Sequence, residues 1–418
     1  MFEKPQHPKH ILWLIGLGTA LSLPGDATLY VTLPTHTAEA GIALTGVGLM
    51  LSANRWVRVL LNGPYGCWLD RLNRRPILIV SLFLGALSTL IYTAPGFWPL
   101  LVGRLLWGIS WIGIWVGGNT AIMDIATDAN RGRFSGQYQM WFFLGSGGSS
   151  LLGGVLTDWL GYRNGLFISA SITLIGALLW LVFLPETRRS ASPAPPDAAL
   201  PDLLPPTTRS WRALIAAGAV FGVASLVFAG VVGSTLALLL EVRLGAVKVA
   251  AWTVPLATLT GVLIAAQRVL SMIAAPLAGW FSDRRGERWG AVMAALGAGA
   301  IATAGMGVAS GHALIAAALL SAVMAGALQA LVNALAGDHT PVDKRGSAIG
   351  LLNVFGDLGS AVGPMMAYPL LPVLGLSGLL GISALCMALM IGWVGFVAVS
   401  LRAEARLKLA PTVTVSQP

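Results

Sequence analysis

Charge is what this chain has least of. Only 10% of its 418 residues are Asp, Glu, Lys or Arg, while 56% are apolar. An average soluble domain carries roughly 25% charged residues. A single globular core stops growing beyond about 250–300 residues, so a soluble fold could not hide this much apolar surface. The shortage of charge therefore excludes a soluble enzyme, a DNA-binding module and a disordered chain. Cysteine is scarce as well. The two present, Cys67 and Cys386, both lie in apolar stretches, which excludes a disulfide scaffold and a cysteine-ligated zinc site. The five histidines (His7, His10, His36, His312, His339) fall mostly at helix ends or loops. No H-E-x-x-H pair, G-x-S-x-G elbow or phosphate loop is present. An intramembrane protease or acyltransferase is the weaker class on that ground, ATP-driven pumping within this chain is excluded, and no metal or cofactor is predicted.

What the chain has is long apolar runs. About 20 apolar residues cross a bilayer as a helix. Apolar windows predict twelve transmembrane helices, at 11–33, 43–69, 76–94, 97–122, 134–157, 164–184, 213–240, 249–281, 289–310, 312–336, 347–372 and 376–401. The predicted fold is an all-α membrane protein. The first run contains Asp26 and is followed by many more, so it reads as a span and not as a cleaved signal. A proline-, alanine- and arginine-rich stretch (Pro193, Pro195, Pro196, Pro201, Pro205, Pro206) reads as a flexible linker. The predicted organisation is a six-helix bundle over 1–187, a linker over 188–212, a second bundle over 213–401 and a tail over 402–418.

Orientation follows from lysine and arginine, which favour cytoplasmic loops. Of the 26, 19 lie at the N-terminus, the C-terminus, the linker or the loops on the same side, and only Arg163, Arg243 and Lys248 on the other. Both termini are predicted to be cytoplasmic. The net charge of +9 is spread between apolar runs, so it does not indicate a nucleic-acid partner. Arginine outnumbers lysine 21 to 5, which fits a GC-rich bacterial genome.

The second half overlays the first at a shift of 213, matching Arg55 with Arg268, Gly66 with Gly279, Asp70 with Asp283, Arg71 with Arg284 and Arg75 with Arg288. At 214, Asn119 meets Asn333, Asp124 meets Asp338, Arg131 meets Arg345 and Gly145 meets Gly359. Two similar halves are a construction rule of one class of transporters.

These residues also carry a family resemblance. Gly66-x-x-x-Asp70-Arg71-x-x-Arg74-Arg75 resembles the loop signature between the second and third helices of major facilitator superfamily transporters. Gly279-x-x-x-Asp283-Arg284 repeats it in the second half. Arg104-x-x-x-Gly108 resembles the fourth-helix signature of proton-coupled members, and Pro185-Glu186-Thr187 a common ending of the sixth helix. The fifth helix departs from the antiporter pattern, with Ser149-Ser150 before Gly153-Gly154. The resemblance covers essentially the whole chain and resembles most the 12-helix bacterial drug or metabolite:proton antiporters. It implies two pseudo-symmetric six-helix bundles, alternating access, a monomer, and residence in a bacterial inner membrane. It also implies a latch on the cytoplasmic side. Asp70 would face the start of the eleventh helix near Arg345, and Asp283 the start of the fifth near Arg131, where helix dipoles favour carboxylates. Gly66 and Gly279 would let helices approach closely, with Arg71, Arg75 and Arg284 completing the motif.

Ionisable groups at membrane depth are costly and usually functional. Six stand out: Asp26, Arg55, Arg58, Arg104, Arg268 and Asp357. Arg55, Arg58 and Asn62 share one helical face by spacing. Asp26, following the Pro24-Gly25 break, is the first choice for a proton-binding carboxylate and Asp357 the second. Burial favours a neutral carboxyl group and a nearby guanidinium favours the charged one, an opposition that suits a proton carrier. Four arginines against two aspartates leave an excess of +2, and arginine suits carboxylate or phosphate contacts. The predicted cargo is a small anionic organic molecule, held in a central cavity by Arg55, Arg58, Asn62, Arg104, Arg268, Asn119 and Trp111 and exported against protons. The alternatives are a multidrug exporter using Trp107, Trp111, Trp115, Tyr138, Trp141 and Phe142, an uptake symporter, or a non-transporting receptor of the same fold.

Overall fold

The computed structural model describes residues 8–127, 130–188, 208–245, 247–249, 252–340 and 345–409. The chain starts with α1 (Pro8–Ser22) and α2 (Pro24–Thr32). Leu23 keeps helical angles and Pro24 takes the first helical position, so the two form one segment interrupted where proline lacks an N–H. A one-turn helix α3 (Thr37–Ala40) leads to α4 (Leu44–Arg71), α5 (Arg74–Ile91), α6 (Phe97–Ile125), α7 (Arg131–Leu160) and α8 (Tyr162–Phe183). After the segment containing the predicted linker come α9 (Thr208–Ala224), a π-helical stretch (Ser225–Val232) and α10 (Gly233–Arg243), which run on without a break. The second half continues with α11 (Leu256–Arg285), α12 (Arg288–Val308), α13 (Gly311–His339) and α14 (Arg345–Leu409). Within α14, Gly375 adopts φ 62° and ψ 175°, a left-handed turn that splits the run into two legs. The second leg continues to Leu409, into the stretch predicted as the 402–418 tail.

Among the described residues nine segments are long and apolar enough to cross a membrane. Large apolar side chains such as Leu60, Trp98, Val182, Ile301 and Phe396 point outward. A water-facing surface would not tolerate a patch of that extent, and lipid does. This is an all-α membrane protein. One expectation needs correction. The eighth span was predicted to begin at 249, but Val247–Val249 and Trp252–Val254 form an antiparallel hairpin, β1 and β2, and α11 begins only after Pro255. Valine, threonine and tryptophan favour strands, and apolar content alone cannot separate such a strand from a helix.

The internal repeat has a structural counterpart. Arg74, opening α5, pairs with Asp124 at the end of α6 at 3.1 Å. Arg288, opening α12, pairs with Asp338 at the end of α13. The two bridges are 214 residues apart at both ends. Arg74, not Arg75, is therefore the counterpart of Arg288. Arg75 instead donates to the Leu181 carbonyl at 2.8 Å.

Helices of the second half also meet backbone to backbone. A Cβ on Gly363 would stand 2.6 Å from the Cα of Gly230, and one on Gly230 would stand 2.8 Å from the Cα of Gly363. Only glycine fits there, as small residues do at close helix crossings in membranes.

Candidate functional site

The six membrane-depth charges fall on α2, α4, α6, α11 and α14, and the structure sorts them into two pairs and two remainders. Arg104 on α6 is fully buried. It donates to Asp26 at 2.5 Å, to the Asn54 side chain at 2.7 Å and to the Met50 and Leu51 carbonyls. Its fork is saturated by one half of the chain, as a buried guanidinium requires. The second pair crosses between halves. Arg58 on α4 bonds Asp357 on α14, and Asn62, one turn further along α4, donates to the other Asp357 oxygen at 3.3 Å. The shared face predicted for Arg58 and Asn62 is thus occupied by one carboxylate.

Arg55 and Arg268 are the remainder. Arg55 donates from Nε to the Tyr30 hydroxyl at 3.1 Å, and its guanidinium lies 5.6 Å from the centre of that ring. The guanidinium of Arg104 lies 5.8 Å from the same ring. Tyr30 in turn donates to the Leu51 carbonyl at 3.1 Å. Arg268, on α11, has no hydrogen-bond or ion-pair partner among the described residues, and its side chain is exposed. It nevertheless interacts electrostatically with Arg55, Tyr30 and Asp26. Arg268 is thus both accessible and within electrostatic reach of groups on α2 and α4. Beside it, a Cβ on Gly147 of α7 would stand 3.6 Å from the Arg268 Cβ.

Tyr30 and Asn54 were not singled out in the sequence. Asn54 is a polar residue in an apolar span, which is a readable signal. Tyr30 follows Asp26 by one turn, but an aromatic residue in an apolar run reads first as packing.

Two residues predicted to line the cavity are engaged in local contacts. Trp111 is only 6% exposed. It is packed between Trp107, Trp115 and Phe142, stacked on Trp115 at 5.6 Å. Tryptophans four residues apart share a helix face, and here Trp107 and Trp111 are buried while Trp115 stays half-buried. Asn119 donates to the Trp115 carbonyl of its own helix at 2.7 Å, so its amide is engaged locally.

The predicted latch is described only in part. The side chains of Gly66, Asp70, Arg71, Arg131 and Arg345 lie outside the described residues, and with them the pairings Asp70–Arg345 and Asp283–Arg131. Asp283 is 62% exposed and pairs with Arg288 of its own half at 2.7 Å. Arg284 rests 5.6 Å from the Trp280 ring centre. Gly279 has open space beside it. Among the described residues, the close approach expected at Gly279 is not made.

The contacts between the two halves explain that openness. Asp158, near the end of α7, accepts hydrogen bonds from the backbone N–H and the hydroxyl of Thr258, both at 2.6 Å. Gly154 abuts Ala257, Gly261 abuts Ser150, and Gly48 abuts Pro364 and Tyr368. Counted along each helix, these contacts run from the middle, at Arg58 and Asp357, to the ends opposite the termini. Among the described residues the halves are joined on that side.

Comparison with known proteins agrees with this architecture. The family model described as Major Facilitator Superfamily matches residues 15–267 and 257–415. The chain is 27% identical over 209 residues to the tetracycline resistance protein, class E, of Escherichia coli, a match covering 49% of each chain. It is 28% identical over 191 residues to the inner membrane transport protein YnfM of Escherichia coli strain K12, covering 44% of each. The match thus spans about half the length of these curated relatives. A bacterial homolog of the human lysosomal transporter Spinster, solved in an inward-facing and occupied conformation, superposes with a TM-score of 0.76 at 16% identity, covering 97% of this chain and 98% of that one.

Proposed function

Because the chain belongs to the Major Facilitator Superfamily, we propose that it is a secondary active transporter that exports a small organic anion in exchange for protons by alternating access. The observation that carries this reading is the charge arrangement at membrane depth. One carboxylate, Asp357, ties the two halves together through Arg58 and Asn62. Protonating it would remove the charge that holds Arg58 and loosen the tie. Proton occupancy and the relation of the halves are then linked by one bond. Asp26 holds Arg104 within a single half, so its protonation would act on the fold of that half and on Tyr30. Both carboxylates remain proton-site candidates, and the crossing geometry favours Asp357.

The excess positive charge supports an anionic cargo. An uncompensated cation at membrane depth is expensive, and Arg55 and Arg268 have no carboxylate of their own among the described residues. Resistance to tetracycline in a relative supports outward transport. The second reading, export of lipophilic drugs, draws on the half-buried aromatic pair Trp115 and Phe142.

In this reading the membrane domain has twelve spans. The nine apolar segments are joined by α4 and α7, long helices richer in polar residues, and the last segment crosses twice about Gly375. The two halves, 1–187 and 213–401, rock about the midplane charges in a monomer, with both termini in the cytoplasm of a bacterium.

Flux into and out of proteoliposomes with an imposed pH gradient tests the proposal, screening organic anions against lipophilic cations. Anion movement should follow the proton gradient in the unaltered protein. In Asp357→Asn it should continue down its own gradient and ignore the pH difference. Gradient-driven accumulation that survives in both Asp357→Asn and Asp26→Asn would refute proton coupling at these groups.

A further inference from the structure

Two guanidinium groups of opposite halves, Arg55 and Arg268, lie within electrostatic reach of each other, and neither has an ion-pair partner among the described residues. Arg55 and Arg268 occupy corresponding places in the two repeats, 213 residues apart. The other two membrane-depth arginines are each held by an aspartate. Among the described residues Arg55 hydrogen-bonds a neutral phenol, and Arg268 has no hydrogen-bond or ion-pair partner. Each lies within the other's electrostatic reach. Like charges placed together at membrane depth are destabilising, and among the described residues the two membrane-depth carboxylates are bonded to Arg58 and Arg104. Gly147 of α7 lies beside Arg268, a Cβ there standing 3.6 Å from the Arg268 Cβ.

We infer that Arg55 and Arg268 form a seat for a doubly negative group, a small organic dianion such as a dicarboxylate or a phosphate monoester, which bonds both halves at once. The inference rests on the reading of the cargo as an anion and sharpens it to a charge and two residues. Two forks on opposite halves recognise two oxyanion edges, since guanidinium and carboxylate or phosphate pair in a bidentate plane. A monoanion satisfies one arginine and leaves the other exposed to its partner. A dianion satisfies both and cancels the excess of +2. Tyr30 braces Arg55 from behind through its hydroxyl and ring, so that the guanidinium need not be ordered on binding.

The test uses the full-length protein in detergent or nanodiscs and an isosteric series that varies only in charge: succinate, succinamate and succinamide, with methyl phosphate as the phosphate arm. Binding is read by tryptophan fluorescence and by thermal stabilisation. Charge-assisted hydrogen bonds are strong enough to predict about a tenfold gain in affinity for each negative charge. In Arg268→Gln and in Arg55→Gln, succinate should bind no better than succinamate does to the unaltered protein. The double substitution should reduce both to the level of succinamide. Arg268→Lys keeps the charge without the fork and should retain the order of the series with smaller steps, which carries the test if the glutamine variant misfolds.

The two levels of the reading separate by outcome. If the unaltered protein prefers anions and both glutamine variants keep the full order of affinities, the seat is wrong and anion transport stands. If the unaltered protein binds succinate no better than succinamide while moving a cation in proteoliposomes, the anionic cargo itself is refuted and the seat with it.

Discussion

Removing the Asp158 carboxylate should open the face on which the two halves are now joined. Thr258 is the third residue of α11, one of the first-turn N–H groups that have no partner inside their own helix. Asp158 caps it from the other half of the chain, at 2.6 Å to the backbone N–H and 2.6 Å to the hydroxyl. Hydrogen bonds to an ionised acceptor contribute about 1.5–3 kcal/mol each when desolvated, and a carboxylate at a helix N-terminus adds about 0.3–1 kcal/mol when exposed. Asp158 is only half-buried, so water recovers a large part of this when the contact breaks. A net bias of about 2 kcal/mol toward the joined state is a reasonable balance, equal to about a 30-fold shift in population. Asp158→Ala should lose all of it, and Asp158→Asn, which keeps an acceptor without the charge, roughly half.

The populations can be read by spin labels on Trp159 and Val242, exposed residues near the ends of α7 and α10 in opposite halves, after replacing Cys67 and Cys386 with serine. The variant's distance distribution should gain a longer component at the expense of the short one. Thr258→Ala, which removes the hydroxyl and leaves the backbone donor, should give an intermediate shift, and its effect should vanish in the Asp158→Ala background. Populations within about twofold of the unaltered protein, below 0.5 kcal/mol on the same scale, would refute the cross-half cap as a gate.

Other outcomes follow from the same geometry. Arg104→Ala strands Asp26 and takes a donor from Asn54 and from the Met50 and Leu51 carbonyls, and losing one partner of a buried pair costs about 3–5 kcal/mol; its thermal midpoint should fall sharply, with partial recovery when Asp26→Asn is added. Gly363→Leu drives a side chain into the backbone at Gly230 and should lower both folded yield and flux, whereas Gly279→Ala, which meets open space, should leave the thermal midpoint unchanged.

Much of the fold was readable because a bilayer imposes a length and a polarity on every crossing. The spans at 97–122 and 312–336 lie inside α6 and α13, and both singled-out aspartates meet singled-out arginines, Asp26 with Arg104 and Asp357 with Arg58. Which arginine takes which aspartate was not readable. That choice depends on the rotation of five helices relative to one another, and a single chain's spacing fixes only the faces within each. Arg55 shares a face with Arg58 by spacing, but Arg58 reaches across to Asp357 while Arg55 turns to Tyr30. The burial of Trp111 escaped the sequence for a similar reason, since a tryptophan row at helical spacing looks the same whether it lines a chamber or fills a core. The π-helical stretch leaves no compositional mark, because Leu226, Val227 and Phe228 suit either winding. The hairpin before α11 was missed because its valines and tryptophan are as apolar as a span.

The contact of Gly230 with Gly363 has a mechanical corollary. With no side chain between the two backbones there is no soft layer to slide on, so the π-wound segment and the first leg of α14 form a strut that travels as one piece. Asp357 is mounted on that strut, less than two turns from Gly363. When Arg58 lets go, the carboxylate cannot drift off alone; its departure moves the strut, and a local proton transfer is thereby geared to the displacement of half the molecule.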